Sequence, residues 1–371
     1  MKKSLLLVLA IYSFTNGYSQ TSDDYFNTGF AKYEEQDYSG AIADYNKAIE
    51  LNPSFGDAYY NRAIAKHDLK DYPGAVADYT KAIQYNPNDT DAYLNRAYVK
   101  HITEDFKGSL ADYDKAIQIN PNFEDAYYGR GNLKYDTKNF QGAITDYNKA
   151  LQLNPGDVDS YINRGLTKHE VNDYSGAVSD FTKAIEINPS DAGSYVNRGL
   201  AKHEMKDYTG AIADDDKAIE LNPSEENAYY NRGNAKYDLK DFASAIADYN
   251  TAIQLNPNDA SAYNNRGITK EELSDNTGAI ADYTKAIEID PTYSSAYYNR
   301  GNVKYDTEDY PGAIADYTKD IELFPTDADA FYGRGLAKIY SGKKDAGCID
   351  INKAIQLGSE DAKTEKEKSC K

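Results

Sequence analysis

Tryptophan is absent from the 371 residues, and Cys, Met and His occur only two, two and four times. Two cysteines cannot staple a chain this long, so disulfides are not its main source of stability. Basic residues are in deficit: 41 Lys and Arg face 60 Asp and Glu, a formal charge of −19. A nucleic-acid binder needs a basic footprint, so that class is excluded unless a metal intervenes. Long apolar runs are also missing. The stretch Leu5 to Ile11 falls far short of the ~20 residues a spanning helix needs, and no later segment resembles one. Pro and Gly (11 and 25) are near average usage, which excludes collagen-like and Pro-rich disordered chains.

The apolar stretch instead has the makeup of a leader. Lys2 and Lys3 precede it, and Gly17-Tyr18-Ser19 offers small residues where a signal peptidase reads, so cleavage is expected after Ser19. No Cys at that site argues against a lipid anchor. Residues 1–19 contain no acid, so losing Lys2 and Lys3 takes the charge from −19 to −21. The expectation is an exported, soluble, acidic protein of bacterial type, periplasmic or secreted.

What is abundant is Tyr, with 36 copies, and periodicity explains it. Pro53, Pro87, Pro121, Pro155, Pro189, Pro223, Pro257, Pro291 and Pro325 are each 34 residues apart. A strict period of this size means stacked supersecondary units. Taking that proline as position 32 sets ten repeats: 22–55, 56–89, 90–123, 124–157, 158–191, 192–225, 226–259, 260–293, 294–327 and 328–361. A tail or cap follows at 362–371. Within a repeat, Asp57 to Leu69 and Pro73 to Tyr85 show helical apolar spacing. Lys70-Asp71-Tyr72 joins them, and Asn86-Pro87 ends the second helix. Each repeat reads as a helix hairpin.

Position 4 is Tyr in nine repeats (Tyr25, Tyr59 and onward to Tyr297) and Phe331 in the tenth. Position 8 is Gly in eight repeats and Ala63 or Ala97 in the others, and position 24 is mostly Tyr, from Tyr45 to Tyr317. With the proline at 32, this pattern resembles the tetratricopeptide repeat over essentially all of residues 22–361. The resemblance implies an all-α fold, a right-handed α-solenoid of tandem antiparallel helix hairpins. It also implies that first-helix positions 2, 5, 9, 12 and 13 line a concave groove for a protein or peptide.

Two positions depart from the family pattern. Position 7 is Arg in repeats 2–10 where Leu is usual, and position 11 is Lys in all ten where Tyr is usual. Position 23 is always Asp. An Arg on a packed face needs a charged partner. Repeat 1, which has no preceding repeat, carries Thr28 at position 7. The expected pairs are therefore inter-repeat, Arg62–Asp44 and Arg96–Asp78, with the Asp of the same repeat as the other candidate. Such pairs set register.

Three repeats carry the same groove set: Tyr128, Asn132, Tyr135 and Asp136; Tyr230, Asn234, Tyr237 and Asp238; Tyr298, Asn302, Tyr305 and Asp306. Tyr-x3-Asn-x2-Tyr-Asp places all four on one helical face. Asn donates to and accepts from a peptide backbone, and Tyr offers rigid area with a polar tip. The bland alternative is copied solvent-facing polarity. Position 13 is acidic in eight repeats, near a helix C-terminus where negative charge is unfavourable. Pairing with Lys, or a groove that attracts a basic partner, accounts for it, and the groove is preferred. All four His (His67, His101, His169, His203) occupy position 12, where Tyr is the alternative. That alternation is favoured over a metal site, so no metal and no cofactor are expected.

Asp215, Asp320 and Asn276 break the core pattern, and drift is preferred to a ligand site. Cys348 and Cys370 fall in the terminal unit, where a disulfide would anchor a cap. No phosphate loop, His-Glu-x-x-His or nucleophile elbow is present. The sequence therefore reads as a non-enzymatic, exported interaction scaffold. Its expected partner is a protein or peptide, with basic character favoured and no nucleic acid or membrane insertion. Glycan binding and self-assembly are the alternatives.

Overall fold

The computed structural model describes residues 20–370, so the expected leader, 1–19, lies outside the described residues. Among the described residues the secondary structure is 21 α-helices with no strand. In every repeat the first helix occupies positions 1–13 and the second begins at position 17. In repeat 2 these are Gly56–Asp68 and Tyr72–Tyr85. The chain is therefore all-α, a solenoid of tandem antiparallel hairpins. It forms two compact units, one ending at Ser160 and the other beginning at Tyr161.

Local chemistry makes each hairpin. Position 15 is left-handed in all ten repeats, from Gln36 (φ 64°) and Lys70 (φ 63°) to Gly342 (φ 82°). That one residue reverses the chain: Asp37 N–H reaches back to Lys32 O at 2.9 Å, closing the first helix with a six-residue hydrogen-bonded cap. Asp37 then starts the second helix, its carboxylate accepting from Gly40 N–H at 2.9 Å. The same Asp or Asn cap recurs in later repeats, as at Asp71, Asn139 and Asp309.

Packing between the two helices is small against large. A Cβ added to Gly131 would lie 2.7 Å from the Tyr147 ring, and one added to Gly233 would lie 2.8 Å from that of Tyr249. Glycine at position 8 thus lets the position 24 ring lie against the backbone of the first helix. Tyr45, Tyr113, Tyr147, Tyr249, Tyr283 and Tyr317 are fully buried there.

The charged triad sits behind this layer. Arg62 donates through Nε and Nη2 to the two oxygens of Asp78, at 2.8 and 2.6 Å. Lys66 adds a third bond to Asp78, at 2.7 Å. The fork repeats in repeats 3–10, for example Arg96 on Asp112, Arg232 on Asp248 and Arg334 on Asp350. Each guanidinium also lies over the aromatic ring at position 4, 5.3–5.8 Å from its centroid.

This corrects the expected pairs Arg62–Asp44 and Arg96–Asp78: the aspartate partner is in the same repeat, because the two antiparallel helices bring positions 7, 11 and 23 side by side. The link to the preceding repeat uses the remaining nitrogen. Arg62 Nη1 donates to Asn46 at 2.5 Å, Arg96 to Thr80 at 2.9 Å, and Arg130 to Asp114 at 2.6 Å. Position 25 is Asn, Thr or Asp in all ten repeats, a signal present in the sequence. Repeat 1 has no preceding position 25 to reach; there Lys32 alone pairs with Asp44, at 2.7 Å.

The C-terminal tail is a helix, Glu360–Ser369. It buries Ala362 against Ile351 and Ala354 of the last hairpin. A Cys348–Cys370 disulfide, with Cα atoms 5.6 Å apart, ties its end to that hairpin.

Asp248→Ala leaves Arg232 and Lys236 without their buried counter-ion, and the expected cost is about 3–5 kcal/mol. Because repeat arrays unfold locally, hydrogen exchange is the proper measure. Exchange should accelerate in repeat 7 and its neighbours; unchanged protection there would show that the triad does not stabilise the hairpin.

Candidate functional site

First helices within a unit lie side by side, and their positions 5, 9, 12 and 13 share one face. Repeats 4, 7 and 9 place their groove sets there, with Asp136, Asp238 and Asp306 exposed and the tyrosines half-buried. The asparagines are not simply open to a ligand. Tyr147, Tyr249 and Tyr317, whose phenols burial pushes well above their ordinary pKa and keeps protonated, donate to Oδ1 of Asn132, Asn234 and Asn302, each at 2.7 Å. Asn265 of repeat 8 donates to Tyr230 Oη at 3.0 Å and to Asn234 Oδ1 at 3.1 Å. The position 9 asparagines therefore tie the second helix to the face, and Asn234 also binds the next repeat. The pairing was latent in the sequence. Tyr at position 24 accompanies Asn at 9 in repeats 4, 7 and 9, whereas repeat 5 pairs Phe181 with Leu166.

Several of the acids at position 13 have a partner the sequence did not reveal. Tyr33 Oη donates to Asp68 at 2.6 Å, His101 Nε2 lies 2.8 Å from Asp136, and His203 Nε2 lies 2.8 Å from Asp238. Position 12 of one repeat thus meets position 13 of the next. In these repeats the acid is engaged by the preceding repeat rather than by a lysine, and Asp136 and Asp238 remain partly exposed on the face. The pairing also explains why only Tyr or His suits most position 12 sites: both carry a hydrogen-bonding tip on a ring, and the ring packs on position 17, as in His203–Tyr208 with centroids 5.2 Å apart. Among the described residues no group of three or more His, Cys, Asp or Glu is placed to hold a metal.

In the second unit this face deepens into a cleft of about 200 Å³. His203, Asn234, Tyr237, Asp238, Tyr249, Asn265 and Ile268 line it. The Asp238 side chain keeps 36% of its surface exposed while bound to His203. Tyr237 and Ile268 supply apolar wall, and the Asp238 carboxylate supplies the acceptor, the Asn234 carbonyl being taken by Tyr249 and Asn265. A site of this kind favours a cationic or multiply donating group with an apolar stem.

The core-breaking acids have separate fates. Asp320 bonds through one oxygen to the Ser294 hydroxyl, while its Oδ2 has no partner among the described residues. Asp215 is wholly buried, and neither of its oxygens has a hydrogen-bond partner there. Burial, reinforced by Asp214, pushes its carboxyl up to about 8. Burial with Asp125 raises Glu124 to about 7, and burial with Asp259 does the same for Glu226. Asn276 stands half-buried at position 17.

Tandem hairpins in fixed register, with a polar face built from every first helix, define an α-helical repeat scaffold. The chain belongs to the tetratricopeptide-repeat family. The TPR repeat model matches residues 29–70, 99–138, 199–240, 233–274 and 272–307. Two tetratricopeptide repeat models match 56–89 and 124–157, and 158–191. Together the matches cover more than half of the chain.

Among solved structures, a tetratricopeptide-repeat protein from Parabacteroides merdae is 20% identical, with TM-score 0.50, over 68% of this chain and 100% of its own. YrrB, a TPR protein with an unusual peptide-binding site, is 25% identical, with TM-score 0.45, over 51% of this chain and 97% of its own. Yeast Tom70 is 17% identical, with TM-score 0.45, over 92% and 93%. No curated protein matches the chain. Members of this family are generally non-catalytic scaffolds, and the repeats support a role in protein interaction. Among the described residues no helix is long and apolar enough to cross a membrane.

Asp215, Glu124 and Glu226 all hold their protons more tightly when folded than in an unfolded chain, where carboxyls titrate near 4. Their contribution to stability is complete below about pH 4 and is lost as pH rises through 7–8. The melting temperature should therefore fall between pH 5 and pH 9. Asp215→Phe, copying the Phe181–Leu166 arrangement beside Leu200, should raise it and flatten the slope. A variant as pH-sensitive as the parent would remove Asp215 from this account.

Proposed function

We propose that the protein is an exported scaffold that holds a basic segment of another protein on its first-helix face, centred on the cleft of repeats 7 and 8. Family membership supports protein interaction as the class of function. The observation that carries the finer reading is the cleft itself: a half-exposed Asp238 beside the Asn234 carbonyl, walled by Tyr237 and Ile268. Its floor is fixed in advance by the Tyr249–Asn234–Asn265 bonds and its carboxylate is held by His203, so a ligand meets an acceptor already oriented and less entropy is lost on binding. The surplus of acids over bases favours approach by a basic partner.

On an array of random-sequence peptides, those retained by the protein should be enriched in Lys and Arg. Asp238→Asn and Ile268→Lys should each weaken retention about tenfold, a loss near 1.4 kcal/mol. Retention unaltered by both substitutions would place the binding surface elsewhere.

Export rests on the Lys2-Lys3, Leu5–Ile11 and Gly17-Tyr18-Ser19 arrangement and is compatible with the disulfide, since an oxidising compartment lets such a bond persist. The intact mass of protein taken from its native source should correspond to a chain beginning at Gln20. Reduction should add two hydrogens. A mass that includes residues 1–19 would reject the leader, and no gain on reduction would reject the disulfide.

A further inference from the structure

A second surface lies at the corners where first helices turn into second helices. Position 14 there is Val171, Met205, Leu239 and Leu273 in the four consecutive repeats 5–8, and these side chains are 43–52% exposed. Elsewhere the position is polar except at Leu69: Glu35, Thr103, Thr137, Thr307 and Ser341 occupy it. Packing does not call for the apolar residues, because Thr fills the same corner in three repeats. An exposed apolar row of this kind marks an interaction site.

Charge accompanies the row. In the same four corners positions 13 and 16 are Glu170 and Asp173, Glu204 and Asp207, Asp238 and Asp241, and Glu272 and Asp275, all of them exposed. Eight acids thus flank four apolar side chains, against two lysines, Lys206 and Lys240. The first helices of repeats 6, 7 and 8 touch in succession, so the corners of Met205, Leu239 and Leu273 are spaced by one interhelical distance, about 8–10 Å. An α-helix advances roughly 10.5 Å in seven residues. One apolar side chain per heptad on a partner helix therefore keeps pace with one corner per repeat, while basic residues beside it meet the acids.

We infer that the corner row Val171–Met205–Leu239–Leu273 is a docking edge for a basic amphipathic helix of another protein, adjoining the cleft, with which it shares Asp238. The charge of this edge opposes anionic membranes, and its apolar spacing sets the partner's period.

The test uses the full chain and a fluorescein-labelled 28-residue helix with Leu on one face and Lys on its flanks, read by anisotropy. The substitutions Val171→Thr, Met205→Thr, Leu239→Thr and Leu273→Thr, made together, copy a residue the corner already accepts, and an unchanged melting curve verifies the fold. Binding should weaken at least about tenfold in this variant. Ile268→Lys, which obstructs the cleft, should leave it unchanged, so failure of the cleft and failure of the edge give different results. A peptide with Ser in place of Leu should bind weakly. Equal binding by the fourfold variant would overturn the proposal. So would equal binding of the Ser peptide, which would make the attraction purely ionic. Preference for zwitterionic vesicles over the peptide would assign the edge to lipid, and a concentration-dependent mass lost in the fourfold variant would assign it to a second copy of the chain.

Discussion

A buried carboxylate held by two cations organises every hairpin from repeat 2 onward. The aspartate at position 23 is 2–4% exposed from Asp78 to Asp350, a placement that is costly for an unpaired ion. The Arg fork and the Lys of the first helix neutralise it, and the ring at position 4 covers the guanidinium. Because the fork needs both oxygens at fixed angles, it sets the rotation of one helix against the other. The spare Arg nitrogen then reaches position 25 of the preceding repeat. One side chain thereby couples the fold of a hairpin to its stacking. The net stabilisation of such a cluster over an apolar one is small, while its geometric demand is strict, so its principal effect is register.

The polar face follows the same economy. Groups that look available in the sequence are largely engaged with their neighbours: Asn234 with Tyr249 and Asn265, Asp238 with His203. This does not remove them from recognition. A partly exposed carboxylate held in place is better prepared for a ligand than a mobile one, since its ordering precedes binding. Repeat 6 departs from the rule. Asp215 stands where its neighbours place Phe181 or Tyr249, and nothing within hydrogen-bonding distance among the described residues compensates for it. Repeat 6 and the repeats beside it build the cleft and the corner row, so the most differentiated surfaces adjoin the least satisfied core position.

Repetition made much of this legible in sequence. Thirty-four-residue proline spacing set the frame, the Tyr and Gly positions identified the hairpin, and the uniform Arg, Lys and Asp announced an ion cluster. Partner choice was not legible. Arg62 had two aspartates within plausible reach, and only the antiparallel crossing of the two helices puts Asp78 rather than Asp44 opposite it. The partners of Asp68, Asp136 and Asp238 were hidden for a related reason, since each lies one position and one repeat away, a relation that depends on how first helices stack.

Sequence alone placed the two helices of each hairpin, since apolar spacing, the polar connection and the proline stop act within a few residues and need no tertiary context. Tertiary structure decided which polar groups are used internally and which remain for a partner. That division depends on distances between helices, and a hydrogen bond is lost within an ångström of misplacement. The cleft of repeats 7 and 8 and the corner row are therefore properties of packing, written in the sequence only as the residues from which packing selects.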